Sequence, residues 1–424
     1  MQTSDTSNYD CLVIGGGPAG STVATLVAEA GHRVLLIERG NFPRFHIGES
    51  LMPETYWTFK RLGMLPKLKA SNFVKKYSVQ FVNGSGKESQ PFYFDEMNPH
   101  ECSQTWQVVR SEFDRMMLDN AAEHGAQVWQ NANVNEVIFA PANNGSLPRA
   151  TGVVVTREGQ APVRLNAKVV VDATGTSALI SKRLKIREPD PMLRKASIFA
   201  HYKGARRDAG KNEGATLVLA TENQDGWFWY IPLPDDIASI GVVADPETLI
   251  SGRGTPEQTL DEEIRRCPGL EGRMTNAVRV SPVHVLSDFT YRSNRPAGDG
   301  WVLVGDAFGF LDPIYSSGVF LALKSGEMAA DCINEGLQKG DTSAAQLGKW
   351  GDMVCEGMHA IRKLVYAYYT RGFSFGQFMR SHPQFKKNLV DLLIGDVFRP
   401  EVNAIFEPMG KQVKLPEPVP LASR

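Results

Sequence analysis

Apolar runs near the N-terminus are separated by a glycine-rich turn and one helix-forming segment. Short β-type runs cover Tyr9–Ile14 and Val34–Ile37, and the segment Ser21–Ala30 between them is rich in helix formers. Continuous short apolar runs are typical of strands buried on both faces, as in parallel sheets. The N-terminal segment therefore predicts a strand, a tight turn, a helix and a second strand.

Further apolar runs predict more strands of the same sheet. A helix is predicted over Arg115–Gly125 and a strand over Val128–Phe139, while Val153–Thr156 and Val163–Leu165 are predicted to pair with each other. The run Ala167–Gly175 is an apolar strand that ends in small residues. It is predicted to return the chain to the first sheet.

The middle of the chain has a different pattern. Strands at Leu217–Thr221, Trp227–Leu233 and Ala238–Ala244 are joined by turns rich in Pro, Gly and Asp, which predicts an inserted antiparallel sheet. A buried strand at Gly300–Asp306 and a helix at Val319–Asn334 follow. Residues 342–406 are predicted to be mostly helical, with a tail after them. The predicted fold class is α/β.

Three glycines and one acid give the first turn its chemistry. Gly15, Gly17 and Gly20 form a G-x-G-x-x-G pattern after the first predicted strand, and Glu38 ends the second. Gly15 permits the tight turn, Gly17 lets a pyrophosphate approach the backbone, and Gly20 lets helix and strand pack closely. Free N–H groups at the helix N-terminus would face the phosphates, and Glu38 would accept hydrogen bonds from a ribose. The pattern predicts a dinucleotide site.

Charge and composition exclude several classes of protein. The 424-residue chain carries 46 Lys and Arg against 47 Asp and Glu, so it has neither a basic footprint for nucleic acid nor a polybasic membrane anchor. Apolar residues make up 42%, which is ample for a core. The apolar stretch Trp301–Leu323 is interrupted by Asp306 and Asp312, so no membrane-spanning helix is predicted.

The cysteines are spaced too widely for a disulfide framework or a metal site. Cys11, Cys102, Cys267, Cys332 and Cys355 show no C-x-x-C pattern and no ligand spacing with histidine. The polar N-terminal segment lacks the basic and apolar regions of a signal peptide. We expect a cytoplasmic protein that binds no metal.

Several motifs at strand ends carry a family resemblance. The glycine pattern, Asp172-Ala-Thr-Gly175 and Gly305-Asp306 together resemble the flavoprotein monooxygenase superfamily. W-x-W-x-I-P at Trp227–Pro232 and F-x-x-P-x-x-S-x-G at Phe310–Gly318 resemble the signatures of flavin-dependent halogenases. Phe45–Leu51, here called the strap, resembles their flavin-contacting segment. The resemblance covers most of the chain.

The resemblance implies FAD, supplied as FADH2, with O2 and chloride or bromide. It implies a Rossmann-like FAD-binding domain with a parallel sheet, an inserted antiparallel sheet and a helical C-terminal region. The implied FAD-binding domain is discontinuous, and the domain ranges are 1–80, 106–185 and 281–345 for FAD, 81–105 and 186–280 for the substrate-binding sheet, and 346–424 for the C-terminal helices. The residues implied for the cofactor are Gly15, Gly17, Ala19, Gly20, Glu38, Arg44, Gly48, Glu49, Ser50, Arg110, Asp172, Gly175, Gly305 and Asp306.

Halogenases of this kind make hypohalous acid from a flavin hydroperoxide and a halide. By resemblance, Lys76 is the catalytic residue that relays this oxidant to an aromatic ring. Lysine suits the role because its pKa shifts readily on burial and its nitrogen can be both donor and nucleophile. Its neighbour Lys75 is interpreted as a solvated lysine.

The resemblance also implies a halide site and a channel wall. Ser317 and Gly318 would bind the halide through backbone N–H groups at a helix N-terminus, although an ordinary helix cap by Ser316 is an alternative interpretation. Trp227 and Trp229 alternate, so they lie on one face of a strand, as channel wall or as plain core. The residues implied for the wall are Trp227, Trp229, Pro313 and Ser316.

One departure bears on the substrate. Tryptophan halogenases carry a glutamate that acts on the indole at the position where this chain has Tyr315. This favours an electron-rich phenol or pyrrole, free or bound to a carrier protein, over free tryptophan. No second nucleotide fingerprint is visible, so a separate flavin reductase is the expected partner. A homodimer stays open.

Two other functions share part of the motif set. A flavin-dependent aromatic monooxygenase or a geranylgeranyl-reductase-like FAD oxidoreductase would have the same glycine pattern and the same Asp172 and Asp306 turns. A flavin-binding sensor or carrier without turnover is a third. Halide dependence distinguishes a halogenase from all of these. Direct reduction by NADPH without a partner favours the monooxygenase or the reductase-like enzyme.

Overall fold

The strands follow the predicted apolar runs along the chain. The computed structural model describes residues 8–141, 147–287 and 289–422; most of the N-terminal segment on which the signal-peptide expectation rests lies outside them. The strands are β1 (Asn8–Ile14), β2 (Val34–Ile37), β3 (Val74–Lys76), β4 (Ser78–Val82), β5 (Phe92–Tyr93), β6 (Thr105–Gln107), β7 (Gln127–Trp129), β8 (Ala132–Phe139), β9 (Ala150–Arg157), β10 (Val163–Asp172), β11 (Arg187–Pro189), β12 (Ala196–Lys203), β13 (Thr216–Ala220), β14 (Gly226–Leu233), β15 (Ile237–Ala244), β16 (Val278–Arg279), β17 (His284–Ser287), β18 (Tyr291–Ser293), β19 (Ala297–Gly298), β20 (Trp301–Leu303) and β21 (Gly309–Phe310).

The helices cluster around the first sheet and at the C-terminal end. They are α1 (Pro18–Glu29), α2 (Thr55–Arg61), α3 (Leu65–Ala70), α4 (Arg110–Glu123), α5 (Leu179–Arg183), α6 (Pro246–Leu249), α7 (Pro256–Arg266), α8 (Glu271–Met274), α9 (Ser317–Lys339), α10 (Ala344–Leu347), α11 (Gly351–Tyr369), α12 (Phe375–Ser381), α13 (Lys386–Ile394) and α14 (Phe406–Gly410). Within the described ranges, no helix has the length and hydropathy needed to cross a membrane.

A parallel sheet holds the nucleotide-binding half together. Its main path has the order β19–β20–β10–β1–β2–β7, with parallel pairing from β20 to β7. β1 and β2 are almost wholly buried; α1 packs on both strands, and α4 and α9 pack on α1. β9 pairs antiparallel with the first half of β10, as predicted, and β8 extends from β9. The predicted α/β class with a Rossmann-like parallel sheet is confirmed.

The inserted sheet forms a second layer. Its main path is β16–β12–β15–β14–β13–β4–β5, and its central pairs are antiparallel, as predicted. The exception is the parallel pairing of β4 with β13. The side chains of β14 alternate between two cores: Trp227 and Trp229 face the large core shared with the parallel sheet, whereas Phe228 and Tyr230 face a smaller core.

Some predicted boundaries were wrong for local reasons. The run predicted as one strand over Val128–Phe139 is two strands, β7 and β8, because Asn131 between them adopts a left-handed conformation (φ 51°). The helix predicted from Arg115 starts five residues earlier, where Arg110 pairs with Asp114 one turn on. The C-terminal tail is docked, since Arg362 donates to the carbonyl of Glu417.

Candidate active site

The glycine loop (Gly15–Gly20) joins β1 to α1 and is shaped by close backbone contacts. A Cβ at Gly20 would overlap the carbonyl oxygen of Gly15, and a Cβ at Gly15, whose φ is 107°, would overlap that of Ala173. Gly17 differs: the nearest heavy atom to its Cβ position is Arg44 Nη2, 3.8 Å away. Gly17 precedes α1 without any side-chain cap, so no side chain occupies the first N–H groups of the helix.

Glu38 ends β2 beside this loop. Its carboxylate accepts hydrogen bonds from the N–H groups of Gly16 and Gly40, both at 2.8 Å. Arg44 lies 3.9 Å from Glu38 and 3.4 Å from Asp114. The acid therefore orders the loop, with a cation beside the open face of Gly17.

Arg110 connects this region to the strap. It makes a two-pronged ion pair with Asp114, at 2.8 and 3.0 Å, and both residues are buried. Its remaining nitrogen donates to the carbonyls of Ile47 and Gly48. The prediction placed Arg110 in the cofactor site but did not assign Asp114, which neutralises Arg110 and contacts Arg44. Its position four residues after Arg110 on one helix was the available signal.

The two aspartates at strand ends have different surroundings. Asp172 is fully buried and its carboxylate accepts hydrogen bonds from the backbone of Thr174 and Ile180 and from the Thr174 hydroxyl, so it is used within its own turn. Burial raises the pKa of Asp172. The same turn contains Gly175 (φ 61°), with open space at its Cβ position.

Asp306 is partly exposed and available to a ligand. Among the described residues none donates a hydrogen bond to its carboxylate, and desolvation raises its pKa to about 6, opposed by the charge of Arg110. Its neighbour Gly305 (φ 58°) packs against α1, since a Cβ there would lie 2.9 Å from the Cβ of Ala19. The Asp306 turn and the glycine loop therefore meet.

The strap runs from the neighbourhood of Arg110 to that of Lys76. Gly48 has a φ of 103°, and its Cβ position lies 3.0 Å from Arg110 and 3.9 Å from Val319 in the first turn of α9. Glu49 is buried, with one carboxylate oxygen 2.8 Å from His201 Nε2. Ser50 lies 2.8 Å from Lys76 Nζ. Two residues of chain, at most about 7 Å, thus separate Gly48, which lies near the first turn of α9, from Ser50, which contacts Lys76.

Lys76 is buried and carries no ion pair in the part of the chain that the structure describes. It is 4% exposed, and its amine donates to Ser50 Oγ at 2.8 Å and to the carbonyl of Leu51 at 3.0 Å. Burial alone lowers its pKa from 10.5 to about 7. Lys75, on the other face of β3, is exposed, as predicted for a solvated neighbour.

A buried hydrogen-bond network holds Ser50 in place. Thr216 Oγ1 lies 2.9 Å from Ser50 Oγ, and Gln107 donates to Thr216 at 2.8 Å and to the carbonyl of Gly214 at 2.9 Å. Sequence reasoning missed Gln107 and Thr216, which occupy separate strands. Ser50, Lys76, Gln107 and Thr216 are called the lysine site below.

The turn over Pro313–Gly318, called the halide turn below, leads into α9. Pro313–Tyr315 form one 3-10 turn, Ser316 is left-handed (φ 57°), and the helix starts at Ser317. Ser316 makes no side-chain capping bond, so the alternative of an ordinary cap by its hydroxyl does not occur. The first N–H groups of α9, at Ser317 and Gly318, are therefore not occupied by a side-chain cap.

Trp227 and Trp229 form an aromatic surface facing the parallel-sheet half. Their ring centroids are 6.2 Å apart, and the Trp229 indole donates to Ser239 at 3.1 Å. Gly241 lies opposite Trp229 in β15, and a Cβ there would overlap the indole ring. The Trp227 indole donates to the hydroxyl of Tyr369, at the end of α11, at 2.8 Å. Tyr369 was not predicted as a site residue.

These residues fit FAD. The open position at Gly17, the uncapped start of α1 and the nearby Arg44 suit a pyrophosphate. The Asp306 carboxylate, to which no described residue donates a hydrogen bond, suits a hydroxyl donor. A family model described as an FAD binding domain matches residues 8–338. The 1H-pyrrole-2-carbonyl peptidyl-carrier-protein chlorinase of Pseudomonas fluorescens is 30% identical over 92% of this chain and 90% of its own length. The chain belongs to the flavin-dependent halogenases. The corresponding brominase of Pseudoalteromonas luteoviolacea is 32% identical over 93% of this halogenase and 94% of its own length.

Solved structures agree with this assignment. The flavin-dependent brominase Bmp2 superposes with a TM-score of 0.85 at 31% identity, covering 96% of this halogenase and 99% of Bmp2. The chondrochloren halogenase CndH superposes with a TM-score of 0.77 at 30% identity, covering 94% and 92%. The predicted family, its FAD cofactor and its enzymatic class are thereby confirmed.

Proposed function

We propose that this halogenase uses FADH2, O2 and chloride or bromide to make hypohalous acid, which Lys76 transfers to an electron-rich pyrrole or phenol. The observation that carries the proposal is the position of Lys76: a buried amine, free of ion pairs among the described residues, which donates to Ser50 of the strap two residues after Gly48, near the first turn of α9. A buried lysine without a counterion costs stability, which a chemical role would explain.

The cofactor and the halide have separate parts of the site in this proposal. When bound, FAD supplies the activation of oxygen. Arg44 and the start of α1 would hold its pyrophosphate, and Asp306 a hydroxyl of its chain. The halide would accept hydrogen bonds from the N–H groups of Ser317 and Gly318, near the strap residue Gly48.

Lys76 would act as a reversible halogen carrier. With a pKa of about 7, a large fraction of the amine is neutral at neutral pH. The nitrogen lone pair attacks the halogen of hypohalous acid, the O–X bond breaks, and the hydroxide leaves as water with a proton from nitrogen. The ring then attacks the halogen, the N–X bond breaks, and the proton lost by the ring restores the amine. The balance is ArH and HOX giving ArX and water.

The substrate proposal rests on Tyr315 and on the relatives. Tyr315 is buried and donates to the carbonyl of Leu364 at 3.2 Å, and burial raises its pKa well above the ordinary value, so it is no substitute for a carboxylate base. Pyrroles and phenols lose the ring proton without such a base. Two relatives are named for carrier-bound pyrrole-2-carbonyl groups. We therefore propose a carrier-tethered pyrrole as the first candidate substrate and a phenol as the second.

The proposed partner is a separate flavin reductase, and the proposed compartment is the cytoplasm. All five cysteines are free, which suits a reducing environment.

The test combines the purified protein with a flavin reductase, NADH, FAD and either chloride or bromide, with pyrrole-2-carbonyl carrier protein as substrate. Mass spectrometry follows the halogenated product, and absorbance follows flavin oxidation. We expect halide-dependent product from the wild type and from Lys75→Ala. Lys76→Ala should still oxidise FADH2 but lose product by a factor of about 100 or more. Undiminished product from Lys76→Ala would contradict the relay.

A further inference from the structure

One hydrogen-bond chain crosses three segments of the site. The Trp227 indole donates to the Tyr369 hydroxyl at 2.8 Å, and this hydroxyl donates to Asp312 Oδ2 at 3.1 Å. The other oxygen of Asp312 accepts the N–H of Ile314 at 3.0 Å, inside the halide turn. The chain therefore connects β14, the end of α11 and the turn that precedes Ser317.

Asp312 depends on these two donors. It is 1% exposed, and the described residues offer its carboxylate no ion pair. A cation beside the network, Lys195, lies over the Tyr369 ring at 4.1 Å and pairs with Asp245 at 2.6 Å. Burial raises the pKa of Asp312 to about 7. A buried acid with one side-chain donor is sensitive to the loss of that donor.

Tyr369 is the central member of the chain. Its hydroxyl accepts from Trp227 and donates to Asp312, so both of its hydrogen-bonding roles are used. Without it, the Trp227 N–H and one oxygen of Asp312 would both lose their partner. The Ile314 N–H would then be the one described donor left to the Asp312 carboxylate, and with this looser hold on the turn the direction of the N–H groups at Ser317 and Gly318 would change.

We propose that Tyr369 is a positioning residue that couples the tryptophan surface to the halide turn. The inference rests on the proposed function, because it assumes that the halide binds at Ser317 and Gly318. Tyr369 touches neither halide nor flavin in this account; it acts through Asp312. Its loss should weaken halide use and leave FAD binding unaltered, because the glycine loop shares none of these hydrogen bonds.

The chain offers a matched control. Tyr368 is the preceding residue of α11 and packs against Trp227 and Tyr369, with ring centroids 6.5 and 5.5 Å away. Among the described residues its hydroxyl makes no hydrogen bond. Tyr368→Phe therefore removes a hydroxyl from the same aromatic cluster without removing any hydrogen bond between Trp227, Tyr369 and Asp312.

The experiment measures product formation over a range of bromide concentrations for the wild type, Tyr369→Phe, Tyr368→Phe and Asp312→Asn. We expect Tyr369→Phe to raise the bromide KM about tenfold, with kcat at saturating bromide and the Kd for FAD within about twofold of the wild type. Asp312→Asn should shift the bromide KM in the same direction, and Tyr368→Phe should not shift it.

Two results would overturn the inference. A wild type whose product formation does not depend on halide overturns the proposed function and this inference with it. A halide-dependent wild type with an unchanged bromide KM in Tyr369→Phe overturns the inference alone. If Tyr369→Phe fails to fold, as judged by its circular dichroism, Asp312→Asn decides the question by the same KM criterion.

Discussion

The glycine loop is held mainly by contacts with backbone atoms. Gly20 packs on the carbonyl of Gly15, Gly15 packs on that of Ala173, and Glu38 accepts the N–H of Gly16. In the lysine site, Ser50 contacts Thr216, 166 residues away. The loop is built from backbone shape, and the lysine site from side chains on separate strands. A cofactor site of the first kind is fixed by backbone sterics, whereas a reaction site of the second kind depends on how side chains from separate sheets pack together.

The largest effect should come from breaking the loop. Gly20→Ala would place a Cβ on the Gly15 carbonyl, so we expect a loss of about 3 kcal/mol in the free energy of unfolding and loss of FAD binding. Urea unfolding and an FAD titration measure both. Gly17→Ala is the control, because its Cβ has room: stability should change by less than about 1 kcal/mol while FAD affinity falls. Equal destabilisation by both variants would contradict the steric account.

Lys76→Met tests the lysine site and, unlike the glycine variant, should raise the free energy of unfolding. The folded-state pKa of Lys76 is about 7 and the ordinary value is 10.5. Between these values the unfolded chain binds the additional proton, so the wild type gains stability as pH rises, and below about pH 7 the full penalty is present. At about pH 6 we expect the variant to be more stable by about 2 kcal/mol, with the gain shrinking towards pH 10.

Urea unfolding across this pH range measures the difference. Lys75→Met serves as the control and should show no pH-dependent gain, because Lys75 is exposed. A Lys76→Met variant that loses stability at low pH would show that the amine is well solvated.

Gly241→Ala perturbs the tryptophan surface. The added methyl would overlap the Trp229 ring and the Cβ of Phe199, so we expect a loss of about 2 kcal/mol and fewer halogenated products per FADH2 oxidised. Ser239→Ala removes only the indole acceptor and should cost about 1 kcal/mol. If the two variants had the same effect, the packing of the ring on Gly241 would not be what positions it.

Ser50→Ala should have the smallest effect. It removes one of the two acceptors of the Lys76 amine, and we expect a loss of about 1 kcal/mol with a several-fold lower yield of product per FADH2. Unfolding and coupled product assays measure these changes. Thr216→Val keeps the Ser50–Lys76 contact and should retain more of the yield. A lower yield from Thr216→Val than from Ser50→Ala would show that Thr216, and not Ser50, positions the Lys76 amine.

The same contrast explains what could be predicted from the sequence. The β1–α1–β2 unit was predictable because the spacing of the three glycines is typical of a dinucleotide turn and each apolar run has a single structural interpretation. The split between β7 and β8 was not, because one left-handed residue, Asn131, interrupts a stretch that was predicted as one strand.

In the reaction region, the residues alone gave less. The pattern of residues around Lys75 and Lys76 is mixed, so only the family resemblance indicated which of the two lysines mattered. Tyr369 was beyond prediction, because its partner Trp227 lies 142 residues away and nothing near Tyr369 in the sequence indicates that pairing. The roles assigned to individual residues stay predictions.

The two-faced arrangement of β14 constrains how this lineage can diversify. Trp227 and Trp229 belong to one core, and Phe228 and Tyr230 to the other. A one-residue insertion before Trp227 would exchange the two sets, so insertions and deletions in this strand should be purged by selection. New substrate ranges would then arise by point substitution in the strand, with length variation confined to the connecting loops.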